Sequence, residues 1–491
     1  MSPRKTFLAL TIAAALLGGG AFASESLLSA VRQSALEGEG AVDVQALLQQ
    51  GADVNAADAD GTTAIALAVH ADQVAIVKAQ LDAGADVAAT NRYGVGPLHL
   101  ASENGSAEML GLLLAHGADP NAALPDGETA LMTAARTGNA AALNVLLAAG
   151  AKVDATERWK GQTALMWATA EDNAAAVAAL VAAGADIERR SAAGEFSALA
   201  FAVRAGAIEA TRALLDAGAD VNAETRGGMS MLVLATLNAH YELASLLLDR
   251  GANPNADKHG WTALHQLAWS RRWNRGFNLP GPVATGDLSS LEFAEKLVVA
   301  GANVDARLHI EPNDGRRNDL NMTGATPFLL ASKSCDLPLM RLLLDRRADA
   351  GIPTADGATA VMVAAGVGIW APGENPGTLE EALAAVKLAY EAGGGDVNAV
   401  DGRGDTAVHG AVYRGGGVKI IEYLAGLGAK LDVVNEDGWT PLYAAEGVVR
   451  NGSGLKHYPE AADLLKKLLR ERGIEPADRP ESVVVAPADA P

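Results

Sequence analysis

The sequence holds a single cysteine in 491 residues, Cys335. A disulfide framework is thereby excluded, and stability must come from packing. Aromatic residues are scarce as well, at 4% of a chain that is 49% hydrophobic. A core with so few rings is built from Ala, Leu and Val, which suits small helices stacked closely. Beyond the N-terminus no segment approaches the roughly 20 consecutive apolar residues that a membrane-spanning helix needs, so no membrane insertion is expected. The short motifs of common chemistry are missing too: His-Glu-x-x-His, paired Cys-x-x-Cys, a phosphate loop ending in Lys-Ser/Thr, and Gly-x-Ser-x-Gly. Asp58-Ala59-Asp60-Gly61 has part of a calcium loop but lacks its first ligand position and distal Glu, which leaves a turn. Arg403-Gly404-Asp405 spells an adhesion tripeptide across an ordinary turn. The expectation is a protein that is not an enzyme and has no cofactor and no metal.

Positive charge is in short supply: 39 Lys and Arg stand against 59 Asp and Glu, a formal net charge of -20. Such a surface repels nucleic acid and anionic membranes and favours a basic partner. Two of the few cations, Arg4 and Lys5, precede an apolar run over residues 7–17, and Ala21-Phe22-Ala23 supplies a small-x-small cleavage site. This pattern reads as a signal peptide over residues 1–23, and export to the periplasm or the medium is expected. No Cys follows the run, which argues against a lipid anchor.

What is abundant is repetition. A Gly-x-Thr turn recurs at Gly61-Thr62-Thr63, Gly127-Glu128-Thr129, Gly161-Gln162-Thr163, Gly260-Trp261-Thr262, Gly324-Ala325-Thr326, Gly357-Ala358-Thr359 and Gly438-Trp439-Thr440. The Thr fits a helix N-cap, and the Pro or Ala after it fits the first helical position. A second, Leu-rich helix follows, as at Leu112 to Leu114, and it stops at Gly-Ala-Asp, as at Gly84 and Gly117. Val-Asn-Ala (Val54-Asn55-Ala56, Val221-Asn222-Ala223) then crosses as a hairpin arm to the next turn.

These units resemble ankyrin repeats. Gly96-Pro97-Leu98-His99, Thr262-Ala263-Leu264-His265 and Thr406-Ala407-Val408-His409 are near copies of that family's Thr-Pro-Leu-His signature. The resemblance covers about residues 26–473 and implies an all-α repeat solenoid of about twelve ankyrin units. Each unit would be a pair of antiparallel helices with a β-hairpin finger. The solenoid is expected over residues 24–473, with a disordered C-terminal tail over 474–491. The resemblance also implies protein–protein recognition, and His99, His265 and His409 as structural hydrogen-bonders rather than ligands.

The period breaks in three places. Thr262 to Thr326 spans 64 positions and Thr359 to Thr406 spans 47, against 32 to 34 elsewhere, and the last unit is also long. Three interhelical insertions are predicted, at about 270–287, 367–380 and 447–459, and a lengthened hairpin precedes Thr326. Insertions in repeat arrays map to one face, often a binding face. The seven Trp avoid the Leu-rich second helices. Binding hot spots favour Trp and Arg, so the predicted partner-binding set is Trp159, Trp167, Trp261, Trp269, Arg271, Arg272, Trp273, Arg275 and Trp370. The function expected is an exported scaffold, a monomer, that binds another exported protein through its concave groove, fingers and long loops. An alternative is a small-molecule or catalytic site in the units starting at Thr262 and Thr359. It would use His309, Glu311, Asp314, Arg316, Arg317 and Asp319 with Trp273 and Glu374, provided hairpin and interhelical loops fold over the concave face to converge.

Overall fold

The computed structural model describes residues 21–37, 43–272, 283–311, 320–369, 376–393, 395–447, 449–450, 453–454 and 457–476. The chain divides into two compact units, Met1–Asp220 and Val221–Pro491. In the first unit Ala21–Glu37 and Val44–Gln49 are followed by five helix pairs: Ala64–His70 with Val74–Asp82, Pro97–Glu103 with Ala107–Ala115, Ala130–Thr137 with Ala140–Ala148, Ala164–Ala170 with Ala174–Ala182, and Ala198–Ala205 with Ile208–Asp216. In the second unit the pairs are Met231–Leu237 with Tyr241–Asp249, Ala263–Ser270 with Ser290–Val299, Pro327–Lys333 with Leu337–Asp345, Ala360–Ala365 with Leu379–Gly393, Ala407–Tyr413 with Val418–Gly426, and Pro441–Ala445 with Pro459–Glu471. Within each unit the first helices of the pairs stack on one another, and the second helices form a parallel layer behind them.

The local reasons are those of the sequence pattern. Thr63, Thr129 and Thr163 each accept an N–H from the first turn of the helix they start, at 3.4 Å. At Gly84 the chain turns left-handed (φ +87°), and Ala85 N donates back to Gln80 O at 2.9 Å, closing the helix end. One special position was not foreseen. The turn between the helices of a pair also needs a left-handed residue, filled by Asp72, Gly105, Gly138, Asp172 and Gly206 in the first unit and, in the second, by Ala239 and Cys335 among others. A non-glycine side chain there costs roughly 1 kcal/mol.

The connectors differ from the hairpins expected. They are tight turns closed by single antiparallel bridges, Ala57 with Thr63, Ala123 with Thr129 and Glu224 with Ser230. Asp58 N donates to Thr62 O and Ala64 N to Ala56 O, the two bonds of the Ala57 bridge, and Asp58 Oδ1 accepts Asp60 N inside the turn. A two-residue strand pair does occur at Val449–Arg450 and Ser453–Gly454, inside the last insertion.

Neighbouring repeats are tied by side chains. The Asn of Val-Asn-Ala accepts an amide from the next repeat: Asn55 from Asp86 N at 2.7 Å, Asn121 from Lys152 N at 2.8 Å, Asn222 from Asn253 N at 2.8 Å. His265 and His409 work in two directions. Nδ1 accepts the N–H of the N-cap Thr262 or Thr406, so Nε2 carries the proton and donates to Ala325 O or Trp439 O of the following repeat, at 3.1 Å in both cases. Burial, against the smaller opposing pull of those carbonyls, holds both imidazoles down at about 4. Protonation would aim a second N–H at an amide donor.

Candidate interaction surface

Positions can be counted from the N-cap of each first helix. The residue before the cap and the fourth residue after it meet repeatedly. Thr133 Oγ1 donates to Glu128 at 2.7 Å, Trp167 Nε1 to Gln162 at 3.2 Å and Trp261 Nε1 to Gln266 at 2.9 Å, while Phe196 and Phe201 pack edge to face at 6.0 Å. The seventh residue after the cap lies one turn further along the same face. These three positions therefore make one side of each stack of first helices.

In the first unit this side is partly open, although Thr133 and Phe201 at the fourth position are buried. Leu67, Leu100 and Trp167 at the fourth position are half-buried, and His70, Glu103, Arg136, Ala170 and Arg204 at the seventh are exposed. Cations lie against the rings: the Arg136 guanidinium is 6.0 Å from the Trp167 centroid, and that of Arg204 is 5.7 Å from both Phe196 and Phe201. Each such contact is worth about 0.5–1 kcal/mol at an exposed site. The adjoining turn is rigid. Glu157 accepts the amides of Trp159 (2.5 Å), Lys160 (2.9 Å) and Gln162 (2.8 Å). Burial pushes the Glu157 carboxyl up, and the three amide donors more than reverse it, so it stays below the usual carboxylate range. The result is to hold Trp159 in water, 85% exposed, between exposed Arg158 and Lys160. Two repeats earlier Tyr93, 59% exposed, lies 5.0 Å from the Arg92 guanidinium.

In the second unit the fourth position is buried, while Leu237, Trp269 and Lys333 at the seventh are half-buried. Leu234, Gln266, Leu330 and Val363, all at the fourth position, are core residues. The lengthened connector contributes Leu308, Leu320 and Met322, and the segment after Ala360–Ala365 contributes Val367 and Ile369, all buried. The two insertions touch: a Cβ on Gly368 would lie 2.4 Å from that of Leu320. Convergence of hairpin and interhelical insertions does occur, but the meeting surface is apolar. His309 pairs with Asp257 at 3.2 Å in an exposed position, and Glu311 accepts the amide of Met322. Asp314, Arg316, Arg317, Asp319, Trp273 and Glu374 lie outside the described residues. Among the described residues no three His, Cys, Asp or Glu side chains could share a metal ion.

The turn edges differ too. In the first unit asparagines close this edge, with Asn104 Nδ2 donating to Val69 O, Asn139 Nδ2 to Gly105 O and Asn173 Nδ2 to Arg136 O. In the second unit arginines do it. Arg271 clamps Asp336 at 2.7 and 3.2 Å, and these side chains are 12% and 1% exposed. Arg272 donates to Cys335 O at 2.6 Å and to both oxygens of Glu381 at 3.1 Å, and Arg414 donates to Lys333 O and Pro376 O. The Thr378 amide, and then Arg272, hold the Glu381 carboxyl below its usual range, while burial raises the Cys335 thiol.

The ankyrin-repeat family model matches in three copies, over residues 33–123, 98–191 and 194–274. The chain carries ankyrin repeats. None of the curated proteins matches it. The matched ankyrin segments include the open face described above, and ankyrin repeats point to a protein partner. No helix among the described residues is long and apolar enough to cross a membrane.

Against these ankyrin repeats the predicted residues divide. Trp159 and Trp167 share one repeat of the first unit, linked through Glu157 and Gln162 of a single turn. Trp261 and Trp269 are half-buried in the second unit, with the Trp261 ring 3.5 Å from that of His259. Arg271 and Arg272 bond to Asp336, Ser290, Glu381 and Cys335 and tie repeats together. Trp273, Arg275 and Trp370 lie outside the described residues. Missed from the sequence were Tyr93, Arg136, Arg158, Phe196 and Arg204. Counting fourth and seventh positions from each N-cap would have found Arg136 and Arg204.

Proposed function

We propose that this chain is an exported ankyrin-repeat scaffold that holds another protein without covalent chemistry and is not an enzyme. The observation that carries the reading is Trp159, an indole 85% exposed on a turn stiffened by Glu157. A ring that could contribute a few kcal/mol when buried is instead kept in water, as contact residues are. Trp167 with Arg136 continues that surface onto the helices. Helix pairs beyond residue 274, through Pro459–Glu471, support extending the repeats to about twelve units over 24–473. The basic, apolar and small-residue order of residues 1–23 supports export.

The test has two parts. N-terminal sequencing of protein from the periplasm or medium should begin at Ser24. The mature chain, immobilised, should then retain an exported protein, identified by mass spectrometry and purified. Trp159→Ala/Trp167→Ala should release it while circular dichroism stays unchanged. Failure of the mature chain to retain any exported protein would sink the scaffold reading, and undiminished binding by the variant would move the surface elsewhere.

A further inference from the structure

We infer that residues 376–381 form a strap over the chain's only thiol, which opens locally while the second unit stays folded and so decides when Cys335 can react. The strap lies wholly in the second unit and does not depend on what the first unit holds. Cys335 stands in the turn between Pro327–Lys333 and Leu337–Asp345 and is 1% exposed. The strap crosses it from the next repeat: a Cβ on Gly377 would lie 3.0 Å from the Cys335 Cβ and 3.2 Å from its Sγ. A glycine suits this close passage, and Gly377 is also left-handed, at φ +104°.

Polar bonds from two other repeats hold the strap down. At one end Arg272 grips both Glu381 oxygens at 3.1 Å while donating to Cys335 O at 2.6 Å. At the other, Arg414 donates to Pro376 O at 3.3 Å and to Lys333 O at 3.1 Å. None of residues 376–381 is buried, whereas Ala360–Ala365 before them is core throughout. A segment that buries so little apolar surface opens at a small fraction of the cost of global unfolding. The closed state also carries a defect. Arg414, 8% exposed, keeps its Nε–H without an acceptor, and among the described residues its guanidinium meets carbonyls and no carboxylate. A buried cation without a counter-ion is costly, which narrows the gap between closed and open.

Opening uncovers a thiol in cationic surroundings. Burial raises the Cys335 thiol, Arg414 and Arg272 pull it the other way, and Glu381 adds to the rise. Lifting the strap ends the burial and takes Glu381 away, while the two guanidinium groups stay to favour the thiolate.

The test follows this one thiol in the full mature chain with an aryl disulfide. The Cys335 thiolate attacks the reagent's S–S bond, a mixed disulfide forms, and the coloured arylthiolate that leaves is measured by absorbance. Labelling of the folded chain should be slow, and its rate should rise with urea much less steeply than global unfolding does. Arg272→Gln should speed it about tenfold and the milder Glu381→Gln about threefold, as loss of a bidentate charged contact at a partly exposed site implies. The urea midpoint of Glu381→Gln should stay close to that of the parent. Arg346→Gln, at the opposite end of Leu337–Asp345 and paired with Glu295, should leave the rate unchanged. A rate that tracks global unfolding across the urea series would overturn the inference, because the thiol is then reached only in the unfolded chain. So would labelling as fast in the folded chain as in the unfolded one, or unchanged rates in both strap variants.

Discussion

The two units build the same helix pair and treat its outward side in opposite ways. In the first, the fourth and seventh positions of the helices carry half-buried Leu67, Leu100 and Trp167 and exposed Arg136 and Arg204 beside buried Thr133 and Phe201, and short asparagines close the turns. In the second, Leu320 comes down from a long connector to meet Gly368 from a long interhelical segment, and the fourth positions become core. Its turns are closed by arginines, Arg271 on Asp336, Arg272 on Cys335 O and Arg414 on Lys333 O. Insertions in repeat arrays often map to a binding face. Here the described parts of two of them meet each other, and the regular repeats keep part of their outward side in water.

The sharpest way to break this contrast is Asp336→Ala. It strands the Arg271 guanidinium in a site where the pair is almost wholly buried, and loss of one partner from such a pair costs about 3–5 kcal/mol. Hydrogen exchange should show residues 263–345 opening while residues 64–216 keep their protection; equal loss in both units would refute the separation. Next is Leu320→Ala, which removes the plug between the two insertions and should cost about 2–4 kcal/mol in urea unfolding. Less than about 1 kcal/mol would mean that the insertions rest on the second unit without forming its core.

Acid should find the second unit first. Unfolded imidazoles bind a proton near 6.5, whereas His265 and His409 bind theirs only at about 4. Between those values the unfolded chain takes up protons that the folded chain refuses, so stability falls as pH falls. The slope reaches about 1.4 kcal/mol per pH unit for each histidine. Asp401, raised to about 6 by burial and by Asp405, acts oppositely: the folded state binds its proton first, which returns some stability below that pH. Urea midpoints at a series of pH values, compared with His265→Gln, should show the flatter curve for the variant.

A single rung of the asparagine ladder is worth less. Asn121→Ala removes the acceptor of the Lys152 amide and should cost about 1 kcal/mol. The smallest effect is expected at the surface proposed to matter most. Trp159→Ala should shift stability by no more than about 0.5 kcal/mol, while Trp439→Ala, at a buried ring in a similar-looking turn, should cost about 3–5 kcal/mol. If the two cost the same, the exposed indole is structural and the interaction surface is misassigned.

Much of the fold was legible. Thr63, Thr129 and Thr163 announced helix starts because a hydroxyl before an apolar run has a local partner. Gly84 and Gly117 announced stops because only glycine turns left-handed without strain. The ladder through Asn55, Asn121 and Asn222 was visible as recurrence but not as a bond, since its partner lies some 30 residues on. The candidate site was half legible. Trp159 and Trp167 stood out as rare residues, whereas Arg136 and Arg204 look like any surface arginine until the helices are stacked. Arg271 and Arg272, beside an insertion, looked available and are tied to Asp336 and Glu381.

The sequence by itself determined the helix pair, its caps and its period, because each follows from bonds made within a few residues. Only the tertiary structure decided which sides of those pairs stay in water. That depends on where long insertions come to rest, and Leu320 reaches Gly368 across 48 residues that carry no local signal of the contact.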